Sequence, residues 1–436
     1  MLKGLKNRGF GVIFVLKGKG KGKGKKKMIK WLIFIAIYAI VDFYSFQAIK
    51  TVTKNSWIHY LHILVSVVVV GNFIYQFTQA SDGRVLSPEK SYAFGFLLTI
   101  LALKIVIVPI MFSEDVFRGI VGLYNKVFSS NDTFHLPSRR KFVSQLALGL
   151  AAIPFTSLLY GMYKGKYNFK VLKYTLHFED LPEAFDGYKI TQISDIHSGS
   201  FDNKEKVSYA VDLINVQQSD AILFTGDMVN NKATEMLPWK NTFKKLKAND
   251  GIYSVLGNHD YGDYVDWDSA EEKQQNLEDL KSIQKDIGFD LMLNESRFIE
   301  KEGQRIAIVG VENWGAGGFK KAGDLNKAKA QVDSNDFKIL LSHDPSHWEK
   351  QVIGDDYHYH LTLSGHTHGM QFGIEIPGWI KWSPVKWRYK YWAGIYKEAG
   401  QYINVNRGFG VLAYPGRVGI WPEITVIELK KGTNNV

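Results

Sequence analysis

Four stretches in the first 165 residues are apolar for about twenty residues each, and no other feature constrains the fold as strongly. They run roughly Trp31–Ile49, Trp57–Phe77, Tyr92–Phe112 and Phe142–Tyr163. A hydrocarbon core ~30 Å thick takes about 20 residues of helix to cross, and a helix satisfies its own backbone polar groups there, so these runs predict membrane-spanning helices. Flanking Trp, Tyr and Lys, which settle at the membrane boundary, support that reading, and Lys104 inside the third run opposes it. A buried helical core in a soluble domain would not require four such runs in succession.

Charge divides the chain further. Residues 1–30 carry eleven Lys or Arg and no Asp or Glu, and the whole chain has 54 basic and 43 acidic residues, so the net +11 sits in that segment and the body is balanced. A nucleic-acid partner is therefore not expected, whereas a basic segment beside an apolar helix suits a membrane surface. Gly18 to Lys27 reads GKGKGKGKKK, low complexity that seldom folds, and Met28 follows it directly. Residues 1–27 either belong to the mature chain or precede its start.

That choice sets the orientation. With the tail present, its charges hold the N-terminus in the cytoplasm, and four crossings return the C-terminal domain there. With a start at Met28, Lys50, Lys54 and the basic residues of 113–141 (Arg118, Lys126, Arg139, Arg140 and Lys141) place the C-terminal domain outside. Ser138-Arg139-Arg140-Lys141-Phe142 before an apolar run resembles a twin-arginine export signal, and the expectation leans to an extracytoplasmic domain on a multi-pass membrane protein.

From about Val171 the pattern changes to short β-branched or aromatic runs separated by charged amphipathic stretches. Strands are expected at Tyr188–Ser194, Ala221–Thr225, Ile252–Leu256, Arg305–Val309, Lys338–Ser342 and His360–Ser364, and helices at Lys204–Gln217, Thr234–Leu246 and Glu271–Ile287. The expected organisation is a basic tail over 1–30, a transmembrane region of about four helices over 31–165, and a layered α/β domain over 171–432.

Polar clusters follow these strands in order: Asp195-Ile196-His197, Gly226-Asp227, Gly257-Asn258-His259-Asp260, His343, and Gly365-His366-Thr367-His368. Ligand sites in α/β sheets gather at the carboxyl ends of strands, so five segments deliver carboxylate, amide and imidazole donors to one rim. That set suffices for two divalent ions. The chain has no cysteine, so disulfides and thiolate ligands are excluded, and a nitrogen and oxygen set suits zinc, iron or manganese. In Asp195-x-His197 and His366-x-His368, residues two apart point to one side of an extended segment. Glycines 226, 257 and 365 let tight turns approach the ions. A lone histidine in such a pattern is usually no ligand; five segments in order are hard to explain as packing.

The ordered set D-x-H, G-D, G-N-H-D, H and G-H-T-H resembles the calcineurin-like metallophosphoesterase superfamily over roughly residues 185–430. The resemblance implies a layered β-sandwich flanked by helices, here preceded by the all-α transmembrane region. It assigns one metal to Asp195, His197 and His368 and the other to Asn258, His343 and His366, with Asp227 bridging. His259 is similar to the family's non-ligand histidine, which binds the phosphate and protonates the leaving oxygen; Asp227 and His259 are the catalytic candidates. Two ions ~3.5–4 Å apart lower the pKa of a bridging water and hold it for in-line attack, so the implied reaction is hydrolysis of a phosphodiester or pyrophosphate.

Within the superfamily, PEAFDGYKITQISDIHSG and NRGFG followed by RVGIWPEITVIEL are similar to a bacterial membrane-associated branch that includes UDP-2,3-diacylglucosamine hydrolases and cell-wall-associated phosphoesterases. A lipid-linked or envelope substrate is thus implied. Met370 departs from that branch, which usually has Gly there. Residues 372–396 interleave Trp379, Trp382, Trp387, Tyr389, Tyr391, Trp392 and Tyr396 with Lys381, Lys386, Arg388 and Lys390, either a surface for lipid headgroups or a loop packed on its own core. Arg407 either contacts a substrate phosphate or makes a fold-stabilising ion pair. Glu312, Asn313 and Asp344 are expected to support the site. Two other functions compete: a membrane sensor or scaffold that binds a phospho-ligand without turnover, and a transporter or channel built on the spans and regulated by the phosphoesterase, with Asp42 and Lys104 as its candidate intramembrane ionisable residues.

Overall fold

The computed structural model describes residues 23–79, 83–128, 137–376 and 378–433; the basic tail as far as Gly22 lies outside the described residues. Four helices come first: α1 (Lys23–Val52), α2 (Ser56–Thr78), α3 (Pro88–Phe128) and α4 (Pro137–Tyr163). All four contain stretches long and apolar enough to cross a membrane. Helix α3 has 41 residues, so at 1.5 Å per residue it is about 60 Å long and outruns the hydrocarbon layer; much of the expected 113–141 loop is helix.

The described residues form two compact units, one of them the part up to Ser66 with Val106–Leu148. Here Asp42 accepts from Ser66 Oγ at 2.7 Å and lies 3.1 Å from His62 Nε2. Arg139 pairs with Glu114 at 3.3 Å and Arg140 with Asp115, which also accepts from Tyr44. Both arginines of the export-like motif are therefore engaged in ion pairs.

The second unit, Val67–Ile105 with the described residues from Gly149 onward, contains two six-stranded sheets. The first takes β1 (Lys170–Phe178), β2 (Lys189–Ile193), β3 (Ala221–Phe224), β4 (Ile252–Ser254) and β5 (Asp290–Leu291), with β14 (Glu423–Lys431) inserted between β1 and β2. The second takes β6 (Glu295–Lys301), β7 (Gln304–Gly310), β8 (Phe337–Leu341), β9 (Leu361–Ser364), β12 (Gly394–Glu398) and β13 (Gln401–Val405), in the order β12-β13-β9-β8-β7-β6. Strands β10 (Ile374–Ile376) and β11 (Ile380–Trp382) form a separate antiparallel hairpin. All six expected strands are present within a residue or two.

Ile190, Leu223 and Ile427 of the first sheet meet Ile308, Ile339 and Leu363 of the second in one fully dry layer. Beneath the first sheet's other face lies α5 (Lys204–Asn215), capped by Asn203, which accepts from the Lys206 amide. Its Val207, Ala210, Val211 and Ile214 recur at helical spacing and are buried. Helix α6 (Ala270–Asp286), capped by Ser269, adds Leu280 and Ile283 to the same cluster. The stretch 234–246 is not one helix: a 3₁₀ segment, Ala233–Trp239, contains Pro238 and gives way to a single turn, because proline lacks the N–H and crowds the preceding turn.

A buried polar strip ties the sheets together close to their carboxyl ends. Gln192 donates to the Ser364 carbonyl at 2.8 Å and accepts from Asn404 at 2.6 Å, while Asn406 donates to Thr425 at 2.9 Å. Such a network is directional where apolar packing is not, so it fixes the relative register of the two strand ends.

Candidate metal centre

The carboxyl ends of β2, β3 and β4 carry Asp195/His197, Asp227 and Asn258-His259, and those of β8 and β9 carry His343 and His366/His368. The sheets are packed so that all eight side chains converge. Seven are buried and His366 is nearly so. Three groups of donors lie close enough to hold an ion: Asp195, His197 and His368; His197, Asp227 and His259; and Asp227, His343 and His366. Asp227 belongs to two of them.

The expectation that Asp195-x-His197 and His366-x-His368 are extended is wrong. Asp195, His197, Asp227, His366 and His368 all adopt left-handed backbone, with φ between 44° and 70°. Left-handed backbone is costly for a residue with a Cβ, and it persists where the surrounding structure demands it, which is typical of functional loops. Glycines make the close approach feasible: a Cβ on Gly257 would lie 2.2 Å from Asp227 Oδ1, and one on Gly365 2.2 Å from Asp195 Oδ2.

Hydrogen bonds decide which atom each group presents. His343 donates from Nδ1 to the Thr225 carbonyl at 2.7 Å, which leaves Nε2 facing Asp227 Oδ2 at 3.1 Å as the atom a metal would take. His366 Nε2 is held by the Tyr389 hydroxyl at 2.8 Å and lies 3.5 Å from Asp344, so Nδ1 remains for a ligand. Asn258 donates to the Tyr264 hydroxyl at 2.7 Å, and its Oδ1 is buried without a partner. His197 and His368 bring their Nε2 atoms within 3.0 Å, with Asp195 Oδ1 3.2 Å from His368. Converging lone pairs and orphaned buried acceptors are what a cation would satisfy, so these residues fit a divalent metal.

Residues that sequence reasoning left unassigned position this set. Asp260 accepts from the amides of Asp227, Met228 and Gly257 at 2.8–2.9 Å, clamping the β3 and β4 loops together. The buried Arg417 guanidinium lies 3.2 Å from His368 Nδ1 and donates to the Gly410 carbonyl at 2.6 Å. Tyr264 and Tyr389 lie in aromatic-rich stretches without a motif to mark them. Asp344 supports His366 as expected, whereas Glu312 and Asn313 hold neighbouring loops. Arg407 pairs with Glu375 and Glu423, which resolves its two readings in favour of the ion pair. The 372–396 segment divides: Tyr391 and Trp392 are buried, Trp379 and Trp387 exposed.

Burial alone would push the His343 imidazole down, but the adjacent Asp227 carboxylate outweighs it and lifts the group to about 10. Burial would likewise raise Asp227, yet the charges of His343 and His259 hold it well below the usual carboxylate range. Burial depresses His197, His259 and His366. In the metal-free protein at neutral pH, the raised pKa favours a second ring proton on His343, at Nε2 and directed to Asp227. Because that pKa is raised, the His343–Asp227 pair stabilises the metal-free fold fully below about 6.5 and loses this contribution as pH climbs through about 10. Metal loading at pH 7–8 should release about one proton, with affinity rising with pH. Calorimetric titration in buffers of different ionisation enthalpy measures this, and loading without proton release would contradict it.

Residues 188–370 match the family model for calcineurin-like phosphoesterases, and residues 28–166 match a probable calcineurin-like phosphoesterase transmembrane domain. The uncharacterized metallophosphoesterase YkuE of Bacillus subtilis (strain 168) is 31% identical over 302 residues, covering 67% of this chain and 98% of that relative. An uncharacterized metallophosphoesterase of Helicobacter pylori (strain ATCC 700392 / 26695) is 25% identical over 407 residues, covering 91% of this chain and 97% of the relative. With its converging donors and four membrane-competent helices, the chain belongs to the calcineurin-like phosphoesterases and is a membrane-borne, metal-dependent phosphoester hydrolase.

Proposed function

We propose that the protein hydrolyses a phosphodiester or pyrophosphate bond of a lipid-linked substrate at a dinuclear centre. Asp195, His197 and His368 would hold one ion, Asn258, His343 and His366 the other, and Asp227 would be shared. The observation that carries the reading is the place of Asp227 in two of the three donor groups, 3.1 Å from His343 and 3.6 Å from His197. When bound, two such ions supply charge neutralisation for the phosphoryl oxygens and acidify water.

The chain's own residues do the rest. Asp195 and Asp227 offset part of the metal charge and leave the site net positive for an anion. His259 donates from Nδ1 to the Asn230 carbonyl at 2.7 Å, so its Nε2 is the atom free to meet substrate. Once protonated by the pull of a bound phosphate, Nε2 can hydrogen-bond a phosphoryl oxygen and pass its proton to the leaving oxygen. A cleft of about 820 Å³ has an apolar wall of Phe96, Leu159 and Met162 facing a polar one with Lys164, Asp202 and Lys206, which suits an amphipathic substrate better than acyl chains alone. A smaller one shares Tyr92 and reaches Gly199 and Asn230, the latter being His259's partner.

The test is hydrolysis of bis-p-nitrophenyl phosphate and of a UDP-diacylglucosamine-type lipid by protein in nanodiscs, with Mn²⁺, Zn²⁺, Fe²⁺ or chelator. Turnover should require metal, and His259→Ala should lower kcat about a hundredfold or more with metal content unchanged. Metal-loaded protein that binds the lipid without turnover would instead favour the sensor or scaffold reading. For a chain that starts at Met28, we place the catalytic domain outside the cytoplasm, because Lys50, Lys54 and the basic residues between the third and fourth spans would then hold those segments inside. A cysteine introduced at exposed Val216 should react with impermeant maleimide in intact cells; protection until lysis would reverse that placement.

A further inference from the structure

The β10–β11 hairpin inverts the usual pattern of a surface strand. Successive side chains on a strand face opposite sides, and at a water-facing surface the polar ones point out. Here Glu375 points inward to the buried Arg407, while Phe372, Ile374 and Ile376 point outward and are 40%, 52% and 42% exposed. Trp379 in the turn is 77% exposed and Trp387 is 75% exposed. The chain places this face directly after the ligand candidate His368, through the equally exposed Met370.

What covers the face follows from where the hairpin is rooted. Helix α4 ends at Tyr163, and its Gly161 carbonyl accepts from the Arg417 amide at 3.2 Å. One residue on, the Val418 carbonyl accepts from Gly373 at 2.9 Å, and Phe372 pairs with Val418. Gly161 admits this contact because a Cβ there would lie 2.7 Å from Val418 and 2.8 Å from the Arg417 carbonyl. At one strand spacing of ~4.8 Å per pairing, the foot of the hairpin is about 10 Å from the end of a membrane-competent helix. The headgroup layer on each side of a bilayer is roughly 5–8 Å deep, and tryptophan concentrates there.

We infer that the β10–β11 hairpin dips into the headgroup layer of the membrane that holds α4, seating the mouth of the metal centre against lipid. Phe372, Ile374, Ile376 and Trp379 enter the apolar boundary. Exposed Lys386 and Arg388 stay at the level of anionic headgroups. The hairpin's depth does not depend on the substrate reading above; its effect on turnover does.

The chain has no native cysteine, so single labels can be placed without background. Ile376→Cys and Trp379→Cys, spin-labelled in full-length protein in phosphatidylethanolamine–phosphatidylglycerol nanodiscs, should have an oxygen-to-nickel-chelate accessibility ratio at least about threefold above that of Tyr209→Cys, a solvent-exposed control. A ratio equal to the control overturns the inference. So does exclusion of both quenchers with dipolar broadening between labels, which would mean that a second copy covers the face. In the double variant Ile376→Asp/Trp379→Asp, turnover of the bilayer-embedded lipid relative to the soluble diester should fall about tenfold; an unchanged ratio denies the hairpin a role in presenting substrate. If the parent protein hydrolyses neither substrate, the proposed reaction fails while the depth measurement still decides the hairpin.

Discussion

On the dinuclear reading proposed above, replacing Asp227 with Asn should lower kcat on a soluble phosphodiester by at least about a thousandfold and cost one of the two proposed metals. Asp227 is the point at which the two sheets' donors meet: Oδ2 faces His343 and His197, and Oδ1 accepts from the His259 amide at 2.8 Å. Asparagine keeps the shape but removes the charge, and an amide is a poor bridge between two cations. The backbone should survive, because Asp260 clamps the same loops independently. Elemental analysis beside kinetics checks this. Full metal occupancy with near-normal kcat in Asp227→Asn would eliminate the shared-ligand arrangement.

Arg407→Ala should destabilise the fold by about 3–5 kcal/mol, a fall in Tm of roughly 10 °C for a domain of this size. Arg407 is 3% exposed, and its guanidinium pairs with Glu423, which is fully buried, and with Glu375. Burial would lower its pKa, but those two carboxylates hold it above the usual range. Truncation strands the Glu423 charge inside the protein, a larger loss than the net worth of the pair. Removing both charges in Arg407→Met/Glu423→Met should therefore be milder than the single change, as measured by thermal unfolding in detergent. A single-variant shift under about 2 °C would mean that water reaches Glu423.

The sequence made the candidate donors legible because each segment lies immediately after a short apolar run, and the structure brings Asp195, His197, Asp227, His259, His343, His366 and His368 into three adjoining donor groups. The partners of those donors were not legible. Tyr389 reaches His366 and Tyr264 reaches Asn258 only through the course of loops, and neither residue type is tied to metal chemistry by spacing. Strand β14 was missed for a different reason: its neighbours in the sheet, β1 and β2, lie more than 230 residues earlier in the chain. The extended reading of the D-x-H and H-x-H segments failed because period-two reasoning holds within a strand, and both segments begin just beyond one. The helix expected over 234–246 failed at Pro238.

Strand β14 also dictates when the enzyme can exist during synthesis. It lies between β1 and β2, parallel to one and antiparallel to the other, so the first sheet is split until Glu423–Lys431 has left the ribosome. The four apolar helices emerge earlier and can enter the bilayer while the catalytic half is still a chain. That half therefore acquires its donor geometry only after its last strand has arrived, when the helices before it already have their place in the bilayer.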